Sequence, residues 1–288
     1  MYSYIPERFQ QAVYLHLLKN TVFPNSCRVP LLLGIHGPSG EGKTYQCEAC
    51  LKEIDAEFFL LSGGQLESEN AGEPAQRLRR LYLEANRCLE QRKCNIAVIL
   101  LNDIDTGVGN WGETVQYTVN RQTLFGELMH LVDYPTRVAN REVRRIPIII
   151  TGNDFTKLYE PLVRAGRMTG FKWQPTTEEK IDIVHSGIFP NLPKKDCETL
   201  VKTLEKEALY IGQKYLPTSF FAHLKSTIID RDLWSYLQKN GIQNVMLSVS
   251  PTQLISENNL VENNIKNLME EGRRLVHSGN LINHLTKS

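Results

Sequence analysis

Through the first two-thirds of the chain, short and nearly continuous apolar runs alternate with stretches in which apolar residues recur every three or four positions. That is the pattern of buried strands covered by amphipathic helices. The runs fall at Leu31 to Ile35, Glu57 to Leu61, Ala97 to Leu101 and Ile146 to Ile150. The last two are almost wholly apolar, as central strands of a parallel sheet require. Pro147 then has to stand at the beginning of its strand, where no ladder donor is needed. Helical spacing follows Lys43 and covers Glu73 to Gln91, Tyr117 to Val132 and Thr156 to Val163.

After Trp173-Gln174-Pro175 the texture changes to helices alone. Amphipathic spacing marks Thr177 to His185, Cys197 to Leu204, Ser219 to Ile229, Asp232 to Lys239 and Val261 to His277, while Val245 to Val249 is readable as a short strand. The expected fold class is α/β: a parallel sheet sandwiched by helices over residues 1–175, then a smaller, mostly helical domain over residues 176–288.

Gly37-Pro38-Ser39-Gly40-Glu41-Gly42-Lys43-Thr44, followed by Tyr45, satisfies the phosphate-loop pattern GxxxxGK[ST] between an apolar strand and a helix. Small residues let backbone N–H groups wrap phosphates. Lys43 brings a point charge to the β- and γ-phosphates, and the Thr44 hydroxyl can ligate Mg²⁺. The expected cofactors are ATP and Mg²⁺. About sixty residues on, the strand Ile96 to Leu101 ends in Asn102-Asp103. In an open parallel sheet, a strand ending there delivers polar groups beside the phosphate loop. Asp103 is expected to position or activate water and to share the metal with Thr44. Asn153, at the tip of Ile148 to Thr151, can reach the γ-phosphate or the attacking water.

Composition narrows the field. Hydrophobic residues are 41% and charged residues 23% of the 288, the balance of an ordinary globular protein. A net charge of +1 gives no bulk field for nucleic acid. The longest apolar run, Ile96 to Leu101, is far too short to cross a bilayer. The N-terminus lacks the layout of a signal or transit peptide, so the expected location is cytoplasmic. Of the six cysteines, Cys47 and Cys50 form a CxxC, but on the helix after the phosphate loop they are expected to be packing residues.

Longer segments carry a resemblance. Ser62 to Pro74 resembles the first pore-loop region of the Rubisco activase family, within the AAA+ ATPases. Asp103 to Gly109 and Gln116 to Asn120 resemble its second pore-loop region, in which Trp111 would also lie. Thr151-Gly152-Asn153-Asp154-Phe155, Leu158 to Leu162 and Arg164 to Met168 continue the match, which runs from about Tyr4 to Met168 and more thinly beyond. The resemblance implies a hexameric homo-oligomeric ring that hydrolyses ATP to remodel Rubisco, releasing inhibitory sugar phosphates, in the cytoplasm or associated with carboxysomes. It implies that Arg164 and Arg167 face the next subunit and stabilise transition-state charge there.

The chain departs from the family at three places. Asn102 stands where most AAA+ strands carry a metal-associated Asp, and Asp103 where they carry a Glu. The stretch between Asp133 and Pro147 is shorter than the third pore-loop region and carries Arg137, Arg141, Arg144 and Arg145. Lys225 and Thr227 occupy the region of the second-sensor arginines. Lys225, Thr227 and the altered loop support an alternative: an activase-like ring that binds nucleotide and associates with Rubisco or carboxysomes without efficient remodelling.

Overall fold

A computed structural model describes residues 4–23, 29–66, 70, 72–105, 115–213, 215–243, 245 and 264–278. The chain divides into two compact units, one of residues 5–174 and one of residues 1–4 with 175–288.

In the first unit, helix α1 (Glu7–Thr21) precedes strand β1 (Leu32–His36), helix α2 (Lys43–Glu53) and strand β2 (Glu57–Ser62). A short α3 (Gly63–Leu66) leads towards α4 (Glu73–Glu90). Then follow β3 (Ala97–Asn102), α5 (Val115–Asp133) and a hairpin of β4 (Arg137–Val138) and β5 (Arg141–Glu142). The unit closes with β6 (Ile148–Gly152), a 3₁₀ turn (Phe155–Lys157), α6 (Glu160–Val163) and β7 (Met168–Lys172). The main sheet is wholly parallel, in the order β2-β3-β6-β1-β7. Its centre is dry: Leu32, Leu33, Ile35, Val98 to Leu101 and Ile148 to Ile150 are all buried.

Residues missed by periodicity close the sheet. Met168-Thr169-Gly170-Phe171-Lys172 has too little apolar character to read as a strand, yet pairs with β1 from Leu32↔Met168 to His36↔Lys172. It sits at the sheet edge, where exposure permits polar residues. The expected helix over Thr156 to Val163 is instead a 3₁₀ turn and one α-turn, interrupted where Leu158 takes an extended conformation. A proline at position 161 biases residue 160 away from helix and suits only a helix's first turn.

The second unit contains α7 (Thr177–Ile183), continued by a π-turn (Val184–Ile188), and the helices α8 (Lys194–Tyr210), α9 (Thr218–Asn240) and α10 (Ile265–His277). Thr176 and Glu179 form a reciprocal capping box at the start of α7. Leu200, Val201, Leu204, Phe220, Phe221, Leu224, Leu268 and Val276 share one core. The two helices expected over Ser219 to Ile229 and Asp232 to Lys239 are one, because nothing at Asp230-Arg231 breaks the backbone ladder. Trp111 and nearly all of Val245 to Val249 lie outside the described residues.

Candidate nucleotide site

β1, β6 and β3 are neighbours in the sheet, and their carboxyl ends deliver the chemistry. His36 pairs with Gly152, and Leu101 with Ile150, so the phosphate loop, Asn102 and Asn153 emerge side by side. The loop is held from below. Trp173, fully buried and packed edge-on against Phe9 at 5.0 Å, donates its indole N–H to the Glu41 carbonyl at 2.7 Å. Its backbone N–H donates to the His36 carbonyl at 2.7 Å. A Cβ on Gly37 would come within 1.9 Å of the Trp173 carbonyl oxygen, so only glycine lets the loop leave β1 here. Gly42 takes a left-handed conformation and starts α2 without any side-chain cap. A helix N-terminus whose first amides no side chain caps suits an anion.

Lys43 is nearly buried and gathers three acceptors: the carbonyls of Gly37 and Pro38, each at 2.9 Å, and Asn153 Oδ1 at 2.8 Å. Burial lowers its pKa, which the carboxylates of Asp103, Asp105 and Glu41 oppose. Thr44 donates its hydroxyl proton to Asn102 Oδ1, which also accepts from Thr151 Oγ1 at 2.6 Å. The Thr44 proton is thus committed inward, and its oxygen lone pairs remain for a cation. That arrangement fits Mg²⁺.

Asp103 has a left-handed backbone (φ 50°), uncommon for a residue other than glycine, and its N–H donates to Thr151 Oγ1 at 3.1 Å. Burial raises its carboxyl pKa above the ordinary range; Lys43 opposes the rise and Asp105 adds to it. The structure therefore brings Lys43, Thr44, Asn102, Asp103 and Asn153 into one cluster. Tyr45 is largely exposed on α2, one residue beyond the loop.

Asp105 and Trp173 escaped the sequence reading as site residues. Buried Asp105 accepts from the N–H groups of Asn153 and Asp154 at 2.7 and 2.8 Å, fixing the strand end that presents Asn153. Its signal was a second carboxylate two residues after Asp103. Trp173 had none, since a tryptophan before a domain boundary reads as core.

The two arginines differ. Arg164 follows α6 with its side chain 61% exposed and, among the described residues, pairs with Glu160 alone at 3.1 Å. Arg167 is 28% exposed, donates to the Pro161 carbonyl at 2.9 Å and reaches both Asp133 carboxylate oxygens at 3.3 Å. In the second unit, Lys225 is half-exposed on α9, and the Thr227 hydroxyl donates to the His223 carbonyl of its own helix at 3.0 Å. Arg145, from the arginine-rich stretch, is half-buried and bonded to Asn20 Oδ1 and the Val29 carbonyl. Arg137, Arg141 and Arg144 are exposed. Cys47 and Cys50 are buried within α2.

A phosphate loop at the carboxyl end of a parallel sheet, with polar strand ends beside it, defines a P-loop nucleotide-binding module. Over residues 33–175 the chain matches the model of the ATPase family associated with various cellular activities (AAA). Over residues 177–279 it matches the helical AAA domain of ribulose bisphosphate carboxylase/oxygenase (Rubisco) activase. The chain belongs to the Rubisco activase family of AAA ATPases.

The chain is 40% identical over 257 residues to the Rubisco activase of Nostoc sp., covering 86% of this chain and 59% of that protein. Against Rubisco activase of Chlamydomonas reinhardtii it is 37% identical over 251 residues, covering 84% and 58%. Against Rubisco activase 1 of Nicotiana tabacum it is 37% identical over 250 residues, covering 84% and 54%. The chain thus spans little more than half the length of these relatives. Among the described residues, no helix is long and apolar enough to cross a membrane.

Proposed function

We propose that this chain is an ATPase whose nucleotide cycle remodels Rubisco, as a homo-oligomer that the resemblance makes a hexameric ring. The observation that carries the reading is the strand-end cluster of Lys43, Thr44, Asn102, Asp103 and Asn153, in a chain whose remaining helices match those of Rubisco activase.

In this reading the loop amides at Gly40 to Thr44 and the α2 N-terminus hold the phosphates. Lys43 exchanges its carbonyl partners for phosphate oxygens while Asn153 keeps it aligned. Mg²⁺ at Thr44, facing the Asp103 charge, would neutralise the phosphates. Asp103 orients the attacking water and takes its proton. Arg164, exposed and lightly paired, serves a neighbouring subunit's phosphates. Arg167 is anchored at home by Asp133 and Pro161 and positions the segment. The division of labour follows the two domains: residues 1–175 bind nucleotide and residues 176–288 act as the lid.

One observation favours the alternative, a nucleotide-binding ring that associates with Rubisco without efficient remodelling. Thr227 spends its hydroxyl on its own helix, and Lys225 offers a flexible point charge where a guanidinium would give a fork. A single assay separates the two. ATP turnover is measured with and without Rubisco closed on an inhibitory sugar phosphate, alongside recovery of carboxylation. Turnover with recovery supports remodelling; turnover and Rubisco binding without recovery supports the alternative; no turnover removes the ATPase.

A further inference from the structure

The turn between α4 and β3 carries chemistry that the nucleotide site does not use. Arg92 takes a left-handed conformation (φ 53°), and the chain doubles back over the helix end. The Lys93 N–H donates to the Cys88 carbonyl at 3.0 Å and the Arg92 N–H to the Leu89 carbonyl at 3.2 Å. This bond pair closes a helix C-terminus in the Schellman manner. It also returns the chain at Cys94 towards Cys88, and the two thiols are close enough for Cys88 to raise the Cys94 pKa. Both are half-exposed free thiols, whereas Cys47, Cys50 and Cys197 are buried. Arg87, Arg92 and Lys93 are exposed next to the pair in sequence, set against Glu90 and against Glu57, whose charge acts on Cys94. Those cations attract an anionic reagent.

We propose that Cys88 and Cys94 are a redox-active dithiol, a modification site that an acidic low-molecular-mass disulfide such as glutathione disulfide converts to an intramolecular disulfide. The Cys88 thiolate attacks one sulfur of the oxidant, forming a mixed disulfide and releasing one glutathione thiolate. Cys94 then gives up its proton and attacks the Cys88 sulfur; the mixed disulfide breaks and the second glutathione leaves. Two cysteine thiols lose two electrons, the oxidant gains two, and the two protons end on the two glutathiones. Burial and the neighbouring thiol push Cys94 up to about 12, which suits a resolving thiol that holds its proton until the mixed disulfide brings the sulfurs together. The two backbone hydrogen bonds already close the turn that carries both thiols.

The test uses the full native chain in glutathione buffers of rising oxidation, with thiol alkylation, intact mass and tryptic mapping. The expected result is loss of two of the six thiols, reversed by dithiothreitol. Trypsin cuts after Arg92 and Lys93, so the two peptides should stay joined only through Cys88–Cys94. Cys94→Ser should stop at one glutathione on Cys88. A linkage through any other cysteine, a stable adduct on Cys94, or no thiol loss under fully oxidising conditions overturns the proposal. If Cys94→Ser does not fold, the wild-type peptide map decides by itself.

Discussion

Lys43 and Lys225 are both lysines that sequence reasoning assigns to a nucleotide phosphate, and the protein treats them differently. Lys43 is nearly buried, with three acceptors between 2.8 and 2.9 Å and carboxylates nearby. Lys225 is half-exposed on α9, and among the described residues no hydrogen bond or ion pair holds it. Thr44 and Thr227 repeat the contrast. Thr44 bonds across two elements to Asn102, whereas Thr227, among the described residues, bonds to its own helix. A group fixed before ligand arrives loses little freedom when it binds, while a free lysine loses side-chain entropy as it orders. The α/β unit therefore carries a preorganised cluster, whereas Lys225 and Thr227 in the helical unit would have to be ordered by any phosphate they meet.

The largest expected effects break the preorganised side. Lys43→Ala should abolish nucleotide binding and any nucleotide-dependent assembly, read by calorimetry and light scattering. Asp103→Asn should keep nucleotide affinity while turnover falls about 10²–10⁴-fold, the usual worth of a positioned base. Unchanged turnover in purified Asp103→Asn removes that residue from the mechanism. Because burial raises the Asp103 pKa, the acid limb of turnover should lie above the range of an ordinary aspartate. Activity needs the carboxylate, so it falls as pH drops through that raised value.

Next in size is the division between the two arginines. Arg164→Ala should lower turnover about 10³-fold or more with little change in thermal midpoint, since its partner Glu160 is itself exposed. Arg167→Ala should lower the midpoint by several degrees, because it strips the Pro161 carbonyl and the Asp133 carboxylate of a shared donor. In the proposed ring, Arg164→Ala mixed with Lys43→Ala should recover some activity where co-assembly with the nucleotide-competent chain is shown, since one interface regains both groups. Mixed rings that never exceed the sum of their parents defeat the assignment across subunits.

How much of this was readable follows the same division. Continuous apolar runs located β1, β2, β3 and β6 to within about two residues, because central strands admit little else. β7 was invisible, since at a sheet edge pairing with β1 makes it a strand rather than its own alternation. Lys43, Thr44 and Asn153 were legible because their chemistry fixes residue type and spacing. Trp173 acts through its indole N–H and main chain, which no spacing rule reports. The unequal anchoring of Arg164 and Arg167 depends on Asp133, more than thirty residues away, and no local pattern carries that.

A smaller effect compares the two units as folded bodies. His16 on α1 is buried, near Asn20 and facing the positive charge of Arg145 and Lys19. Burial, more than those cations, lowers its pKa to about 3. A depressed histidine is stabilising only while neutral. Its contribution is complete above the unfolded value of 6.5 and is lost as pH falls towards about 3. The loss is roughly 1.4 kcal/mol per pH unit across that window. Acid titration followed by hydrogen exchange should open α1 and β1 before α8 and α10, and His16→Leu should flatten the slope. Equal slopes in both proteins would show that other groups drive the acid response.

The smallest expected effect probes the loosely held side. Lys225→Arg with Thr227→Arg adds planar donor forks that can grip phosphate oxygens in pairs, where the lysine offers one flexible charge and the threonine a hydroxyl already bonded to His223. One charge-assisted hydrogen bond is worth about 1.5–3 kcal/mol, roughly ten- to a hundredfold in a closing equilibrium. Ordering two long side chains offsets part of that, so a gain near the lower end is expected in nucleotide affinity. Both positions are half-exposed on α9, at the border of its buried face of Thr218, Phe220, Phe221, Leu224 and Ile228, so a thermal midpoint measured beside the parent's checks that the double variant folds. Calorimetry with a non-hydrolysable nucleotide, read beside ATP turnover, gives the result. A gain in both means the response of the proposed lid is attenuated in this chain, which favours the reading without efficient remodelling. No change, or a loss, means that neighbours such as His223 or Arg231 already couple the lid, and the contrast between the two lysines is then one of packing, not of function.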